Sequence, residues 1–237
     1  MQALILAGGI GARLRPYTTV LPKPLMPIGN LPILEIVLRQ LKQSGVDSVI
    51  LAVGYMNHLF EAFFQDGKDF GLDITYSLES KPLGTAGPIG LILDRLEEDF
   101  LVMNGDLLTT LNYSNLISNH FESGAAATIS VHKRSEQIDY GVIDFDENDY
   151  LLKYSEKPSY EYNVSMGINV LNKSSIIEHI NPNEYLDIPD LMMQLSIAKK
   201  IVKCYSEECH WLDIGRVDDY QKATDFFESN KALFLID

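Results

Sequence analysis

Cysteine is nearly absent from this chain, with two residues, Cys204 and Cys209, among 237. So few thiols exclude a disulfide framework. Cys209 precedes His210, but two thiols and one imidazole with no second Cys/His pair nearby are a poor set for structural zinc. They read as a strand cysteine and a Cys-His pair leading into the next strand. Long apolar runs are missing too. No stretch reaches the roughly 18 to 20 residues that span a bilayer. The first residues, Met1-Gln2-Ala3-Leu4-Ile5-Leu6-Ala7, lack the basic flank and long apolar run of a signal peptide. A cytoplasmic protein without a membrane partner is expected. Positive charge is scarce: 19 Lys and Arg stand against 33 Asp and Glu, a net charge of -14. That excludes a broad nucleic-acid surface, which needs clustered Lys and Arg.

What is present is a globular composition. Hydrophobic residues make up 46% and charged residues 22%, which excludes global disorder. Residues 2–7 are nearly all apolar, as in a strand buried on both faces. A Gly- and Pro-rich loop follows from Gly8 to Pro32. Asn30 is the expected N-cap and Pro32 an early helical position. Ile33, Ile36, Val37 and Leu41 then form one apolar helical face ending near Gly45. The pattern predicts strands at 48–53, 73–78, 100–103 and 126–132, with helices at 57–65, 86–96 and 113–121 between them. Strand–helix alternation signals a parallel sheet covered on both faces. After residue 138 strands dominate: 140–145 and 150–154 flank a turn at Asp146-Glu147-Asn148-Asp149, and 164–171 is another. Helices are expected at 174–180, 190–198 and 217–230, and strands at 203–205 and 211–213. With no linker in sight, the whole chain, 1–237, reads as one domain whose second half is strand-rich. Ligands of such sheets bind beyond the C-terminal strand ends. Both the Gly-rich loop and Asn104-Gly105-Asp106 fall there.

The strongest local signal is Gly8-Gly9-Ile10-Gly11-Ala12-Arg13-Leu14-Arg15-Pro16. Glycines allow positive φ and close approach of backbone to ligand. Successive N–H groups in such a turn can cradle an anion. Arginine matches phosphate oxygens with a forked geometry. Pro22-Lys23-Pro24-Leu25 follows, a lysine stiffened from both sides. A Walker A loop is excluded because no lysine follows Gly11, and Leu14 stands where a dinucleotide fingerprint needs its third glycine. Read alone, Asp106 and Asp213 each end a short strand, where a carboxylate is more often a turn or cap residue.

The compound pattern resembles the signature of the sugar-phosphate nucleotidyltransferases. It continues through Gly29-Asn30-Leu31-Pro32, Leu83-Gly84-Thr85-Ala86-Gly87-Pro88, Asn104-Gly105-Asp106, Tyr140-Gly141-Val142, Glu156-Lys157-Pro158 and Trp211-Leu212-Asp213-Ile214-Gly215, almost the whole chain. The resemblance implies a Rossmann-like α/β fold of GT-A type, with a mixed, mostly parallel sheet flanked by helices. It makes 1–135 the nucleotide-binding half and the strand-rich 136–237 the sugar-binding half, and no hexapeptide repeats announce a C-terminal β-helix. It implies transfer of a nucleotidyl group from a nucleoside triphosphate to a hexose or heptose 1-phosphate. GTP is favoured, with UTP, dTTP or CTP as alternatives. A non-catalytic NDP-sugar-binding regulator is the competing class. By the same resemblance Arg13, Lys23 and Asp106 are catalytic. Leu6, Gly8, Gly9, Gly11, Gly84, Thr85 and Asn104 join Arg13 and Asp106 around the nucleotide. Gly141, Glu156, Lys157, Ser165 and Asp213 face the sugar phosphate, and Asp106 and Asp213 hold Mg²⁺. Ser165-Met166-Gly167-Ile168 departs from the family's usual Asn-Ala-Gly-Ile, which leaves the sugar open. A monomer or homodimer is expected.

Overall fold

The nearly continuous apolar segments lie in the middle of a sheet covered on both faces, where such segments are stable. The computed structural model describes residues 1–9, 11–215 and 217–235, without the Asp213 side chain. In chain order the elements are β1 (Gln2–Leu6), β2 (Pro27–Ile28), β3 (Leu31–Pro32), α1 (Ile33–Gln43), β4 (Ser48–Val53), α2 (Asn57–Phe64), β5 (Asp73–Leu78), β6 (Asp99–Asn104), β7 (Leu107–Thr109), α3 (Tyr113–Ser123) and β8 (Ala127–Gln137). Then come β9 (Val142–Phe145), β10 (Leu151–Ser155), β11 (Ser159–Asn172), α4 (Lys173–Ile176), α5 (Ile188–Ile197), β12 (Val202–Tyr205), β13 (Trp211–Asp213), α6 (Val217–Ser229) and α7 (Lys231–Phe234).

Seven strands form the main sheet in the order β12-β8-β11-β6-β1-β4-β5. Only β11 runs antiparallel to its neighbours. The mixed, mostly parallel sheet of the sequence reading is therefore present. From β1 the chain moves out to β4 and β5, then crosses back to β6 on the other side of β1. That reversal is a switch point, and a crevice opens there beyond the carboxyl ends of β1 and β6.

Alternation along the central strands builds two cores. Ala3, Ile5, Val49, Leu51, Leu101 and Met103 pack with α1, α2 and α3 on one face. Leu4, Ile50, Ala52, Phe100 and Val102 pack on the other face with residues 86–96, α4 and α5. A third cluster joins Leu14, Ile28, Ile36 and Leu108 to Ile214, Ala223 and Phe227, so the terminal helix α6 is tied to the first loop.

Three expectations need correction. The segment 86–96 is two 3-10 turns, Gly87–Leu91 and Leu93–Arg95, instead of an α-helix. Pro88 lacks an N–H, and Gly87 and Gly90 lower helix propensity. Both glycines also press against the 180–186 segment; a Cβ on Gly87 would sit 2.5 Å from the Glu184 carbonyl oxygen. Asn30 is not the cap of α1, which begins after Pro32 with no side-chain cap. Gly29, at φ +60°, makes Asn30 part of the tight turn between β2 and β3. Finally, β8 and β11 run well past the core as a paired arm, Gln137 opposite Ser159. Their outer residues are exposed and, apart from Tyr160 and Tyr162, mostly polar or charged, so no buried aliphatic run marked them.

Leu4 is fully buried at the middle of the central strand. Leu4→Ala is expected to cost about 3 kcal/mol of stability through lost burial and a residual cavity, read as a lowered urea midpoint at unchanged slope.

Candidate active site

The first loop is shaped by glycine geometry. Gly9 has open space where a Cβ would be, whereas a Cβ on Gly8 would come within 2.8 Å of Glu79 Oε1. Gly11 takes φ +63° and starts the 3-10 turn Ala12–Leu14. The Thr18 hydroxyl donates to the Gly11 carbonyl at 2.8 Å, which folds the loop back over the Lys23 stem; a Cβ on Gly11 would lie 3.2 Å from Lys23 Cβ. Lys23 is thereby buried in a rigid setting, and its Nζ stands 2.6 Å from Asp106 Oδ2.

The second wall is the loop 83–87, clamped to the segment before α5. Asp187 Oδ1 accepts from the Thr85 N–H at 3.0 Å and from its hydroxyl at 3.1 Å. The Thr85 hydroxyl oxygen accepts from the Ile188 N–H at 2.8 Å. Thr85 therefore caps α5 across the chain, not a helix of its own loop. The Tyr185 hydroxyl donates to Asp187 Oδ2 at 2.6 Å. This bond, seconded by the Thr85 donors, holds the Asp187 carboxyl below the usual carboxylate range. Gly84, at φ +78°, lets the two segments touch; a Cβ there would meet the Leu186 carbonyl oxygen at 2.5 Å.

Asp106 arrives from the end of β6, one residue after Gly105. Its carboxylate is about one quarter exposed. The backbone of Asp213 pairs with Leu107 in the β13–β7 ladder, so the register brings the two aspartate positions into one neighbourhood. The Asp213 side chain lies outside the described residues. As a test of metal fit, Asp106 is a hard oxygen donor partly open to solvent, beside a second carboxylate position. That donor chemistry suits Mg²⁺, which keeps several waters.

These walls enclose a cavity of about 590 Å³ lined by Leu6, Gly8, Gly9, Gly11, Lys23, Glu79, Gly84, Thr85, Asn104, Asp106 and Tyr185, among others. The size suits a cofactor- or nucleotide-sized ligand. A second cavity of about 270 Å³ shares Leu6, Thr85 and Asn104 with the first and adds Ser165, Gly167, Asn169 and Trp211. A third, of about 510 Å³, shares Trp211 with the second and is lined by Arg13, His132, Arg134, Asp219 and Lys222.

Most of the expected nucleotide-site residues thus meet in one cavity. Arg13 does not line it. Leu14 turns inward to the third core cluster, and Arg13 falls on the exposed side of that turn, at the neighbouring cavity. Gly141, Glu156 and Lys157 line none of the three. They flank the β9–β10 ribbon, where the Tyr154 hydroxyl fills the space a Gly141 Cβ would take.

Sequence reasoning missed Glu79, Asp187 and Asn169. Glu79 is half-buried just past the carboxyl end of β5, a position whose place in a parallel sheet was a readable signal. Burial pushes its carboxyl above the ordinary range, while the Leu83 N–H bonded to it pulls the other way. Asn169 is almost fully buried, and its Oδ1 has no hydrogen-bond partner among the described residues.

The profile of the family described as nucleotidyl transferase matches residues 2–230. Mannose-1-phosphate guanyltransferase of Schizosaccharomyces pombe is 35% identical over 97% of this chain and 65% of its own length. UTP–glucose-1-phosphate uridylyltransferase of Synechocystis is 33% identical over 94% of this chain and 62% of its own. The chain therefore spans less than two thirds of the length of these relatives. Among solved structures, HddC from Yersinia pseudotuberculosis complexed with GMP-PN superposes with a TM-score of 0.72 at 25% identity, covering 95% of this chain and 99% of that one.

Gly84→Ala combines a positive φ with a backbone clash, and is expected to destabilise by about 2 kcal/mol or more. Faster hydrogen exchange at the Thr85 and Ile188 amides would report the opened clamp; unchanged exchange would remove that role from Gly84.

Proposed function

This chain belongs to the nucleotidyl transferase family, and we propose that it joins a nucleoside triphosphate, GTP first, to a sugar 1-phosphate, giving an NDP-sugar and pyrophosphate. The observation that carries the reading is the single cavity uniting the glycine loop, the Lys23–Asp106 pair and Glu79. Loop N–H groups and a fixed ammonium suit a triphosphate. In the reaction, an oxygen of the sugar phosphate attacks the α-phosphorus in line. The bond from that phosphorus to the β-phosphate oxygen breaks, and the electron pair leaves with pyrophosphate. The attacking oxygen is already ionised at neutral pH, so no general base is required. Rate enhancement comes from positioning and charge stabilisation. Lys23 neutralises charge at the α-phosphoryl, and Asn104 and Thr85 set the nucleoside in place. When bound by Asp106 and Asp213, Mg²⁺ supplies further positive charge at the phosphoryl oxygens.

Glu79 supports guanine. The Watson–Crick edge of guanine offers two adjacent donors, N1–H and the N2 amino group, to the two oxygens of a carboxylate. Uracil and thymine offer one N–H between two carbonyl oxygens, so the second carboxylate oxygen would be repelled. The uridylyltransferase relative is nearly as similar as the guanyltransferase, so this chemistry, and not overall identity, is the basis for choosing GTP. The sugar side is supported by the second cavity. The unpartnered Asn169 Oδ1 is an acceptor whose satisfaction by a ligand hydroxyl is favourable, since leaving it unmet is costly.

Mixing the protein with Mg²⁺, each of GTP, UTP, dTTP and CTP, and a panel of hexose and heptose 1-phosphates should release pyrophosphate, fastest with GTP. No release from any pair would leave the non-catalytic NDP-sugar-binding reading instead. Glu79→Gln should cut the GTP-over-UTP preference in kcat/KM about tenfold or more, the scale of a hydrogen bond to a charged group. The carboxylate form reads guanine, and its pKa is raised. GTP affinity should thus be full above that pKa and decline as pH falls through it, beginning at a higher pH than an ordinary glutamate would give. UTP affinity should lack this step.

A further inference from the structure

We infer that the cavity around Arg13, His132, Arg134 and Lys222 is a second anion subsite, built for a phosphate group carrying two or more negative charges. Besides the triphosphate itself, the proposed reaction, on which this inference rests, brings two such groups: the pyrophosphate product and the incoming sugar 1-phosphate. Four separate elements converge on this cavity. Arg13 comes from the 3-10 turn after the glycine loop. His132 and Arg134 are alternate residues of β8, hence on one face of the strand. Asp219 and Lys222 are three apart on α6, hence neighbours on its surface. Trp211 from β13 forms the wall shared with the second cavity.

In a chain with 33 acidic and 19 basic residues, this lining inverts the balance. Among the described residues, three permanent cations and an imidazole face one carboxylate, Asp219. Like charges drawn together repel, and the described residues hold little to offset it. Arg134 pairs with Glu136 at 2.9 Å, but both side chains are more than half exposed, and such surface pairs are weak and easily exchanged. No ion pair of Arg13 or Lys222 occurs among the described residues. Two guanidinium forks and an ammonium around one open volume complement a phosphate. The wall itself is held in place. The Trp211 Nε1–H donates to the Met166 carbonyl at 3.2 Å, and the His132 ring lies 5.7 Å from the indole. A chain of cavities thus runs from the glycine loop, past Asn104 and Ser165, to this basic pocket. Lys157, the lysine expected to hold the incoming phosphate, lines none of them, whereas Arg134 and Lys222 sit at the far end of this path.

Isothermal titration of the whole chain in metal-free buffer, with inorganic pyrophosphate in one arm and mannose 1-phosphate in the other, tests the subsite without relying on turnover. The double variant Arg134→Gln/Lys222→Gln should bind at least one of them about tenfold or more weakly. The control Lys199→Gln/Lys200→Gln removes the same charge from a distant surface and should bind as the wild type does. The charge-preserving Arg134→Lys/Lys222→Arg should recover most of the affinity. Loss confined to pyrophosphate assigns the pocket to the product, and loss confined to mannose 1-phosphate assigns it to the substrate. Equal affinities of the double variant and the control for both ligands would overturn the proposal. If no triphosphate and sugar phosphate react at all, the proposed function falls, while this binding comparison is still read on its own terms.

Discussion

Leu6 and Asn104 stand opposite each other at the ends of two adjacent parallel strands, and the site depends on that register. The Gly105 N–H donates to the Leu6 carbonyl at 3.0 Å. A Cβ on Gly105 would lie 3.0 Å from Ile5 Cγ2, so glycine lets the two strand ends stay in contact. From this shared origin one chain departs as the glycine loop and the other as the turn carrying Asp106. Because β1 and β6 flank the switch point, their loops diverge and leave a crevice between them. The ion pair of Lys23 and Asp106 then spans this crevice, joining a loop of the first thirty residues to one more than a hundred residues in. A slip by one residue in the β1–β6 pairing would separate Leu6 from Asn104 and put one strand's side chains on the wrong faces.

Electrostatics sets the second constraint. A chain of net charge -14 repels polyanions at long range, so the proposed recognition of a triphosphate must be local. The structure concentrates its cations accordingly. Lys23 is buried against the glycine loop, and Arg13, Arg134 and Lys222 gather at the adjoining cavity. Asp106 performs two tasks in this scheme. Without ligand it neutralises the Lys23 ammonium, which would otherwise be costly to bury. In the proposed reaction it is the acid that would hold a divalent ion, leaving Lys23 for phosphate.

How much of this was legible in the residues varies with the kind of signal. Strands β1, β4 and β6 were readable because burial on both faces demands unbroken apolar runs, whereas the part-exposed edge strand β5 was readable from its place in the strand–helix alternation. The glycine loop, Lys23, Thr85, Asn104 and Asp106 were readable because their residue types are unusual together, and the structure brings them to one cavity. The arm of β8 and β11 was under-read because its exposed ends lack buried aliphatic residues, and the alternation of Tyr160 and Tyr162 is too short to stand out. The segment 86–96 was over-read because its apolar spacing mimics a helix, while contacts made by Gly87 and Gly90 with residues 180–186 decide otherwise. The cavity lining by Thr85 matches its expected place, but its pairing was not legible. Its partner Asp187 lies 102 residues away, a distance no local pattern reports. Arg13 shows the limit of motif reading, since the motif gives its identity but the inward turn of Leu14 decides which cavity it lines.

Gly8 links the phosphate and base ends of the site. Glycine there is usually credited with backbone approach to phosphate, but the nearest obstacle to a side chain at this position is Glu79 Oε1, 2.8 Å away. Any residue with a Cβ would push the carboxylate aside, even if the loop kept its shape. On the proposed reading, the carboxylate that recognises guanine occupies space that the phosphate loop leaves vacant. Base choice and phosphate binding are then coupled through a missing methyl group. Glu79 is half-buried, and that burial raises its carboxyl pKa, while the Leu83 N–H pulls the other way. A glutamate in that setting favours a ligand that satisfies both oxygens at once, since desolvation penalises any oxygen left bare. The selectivity argued for guanine thus grows from packing in the first loop as much as from the acid itself.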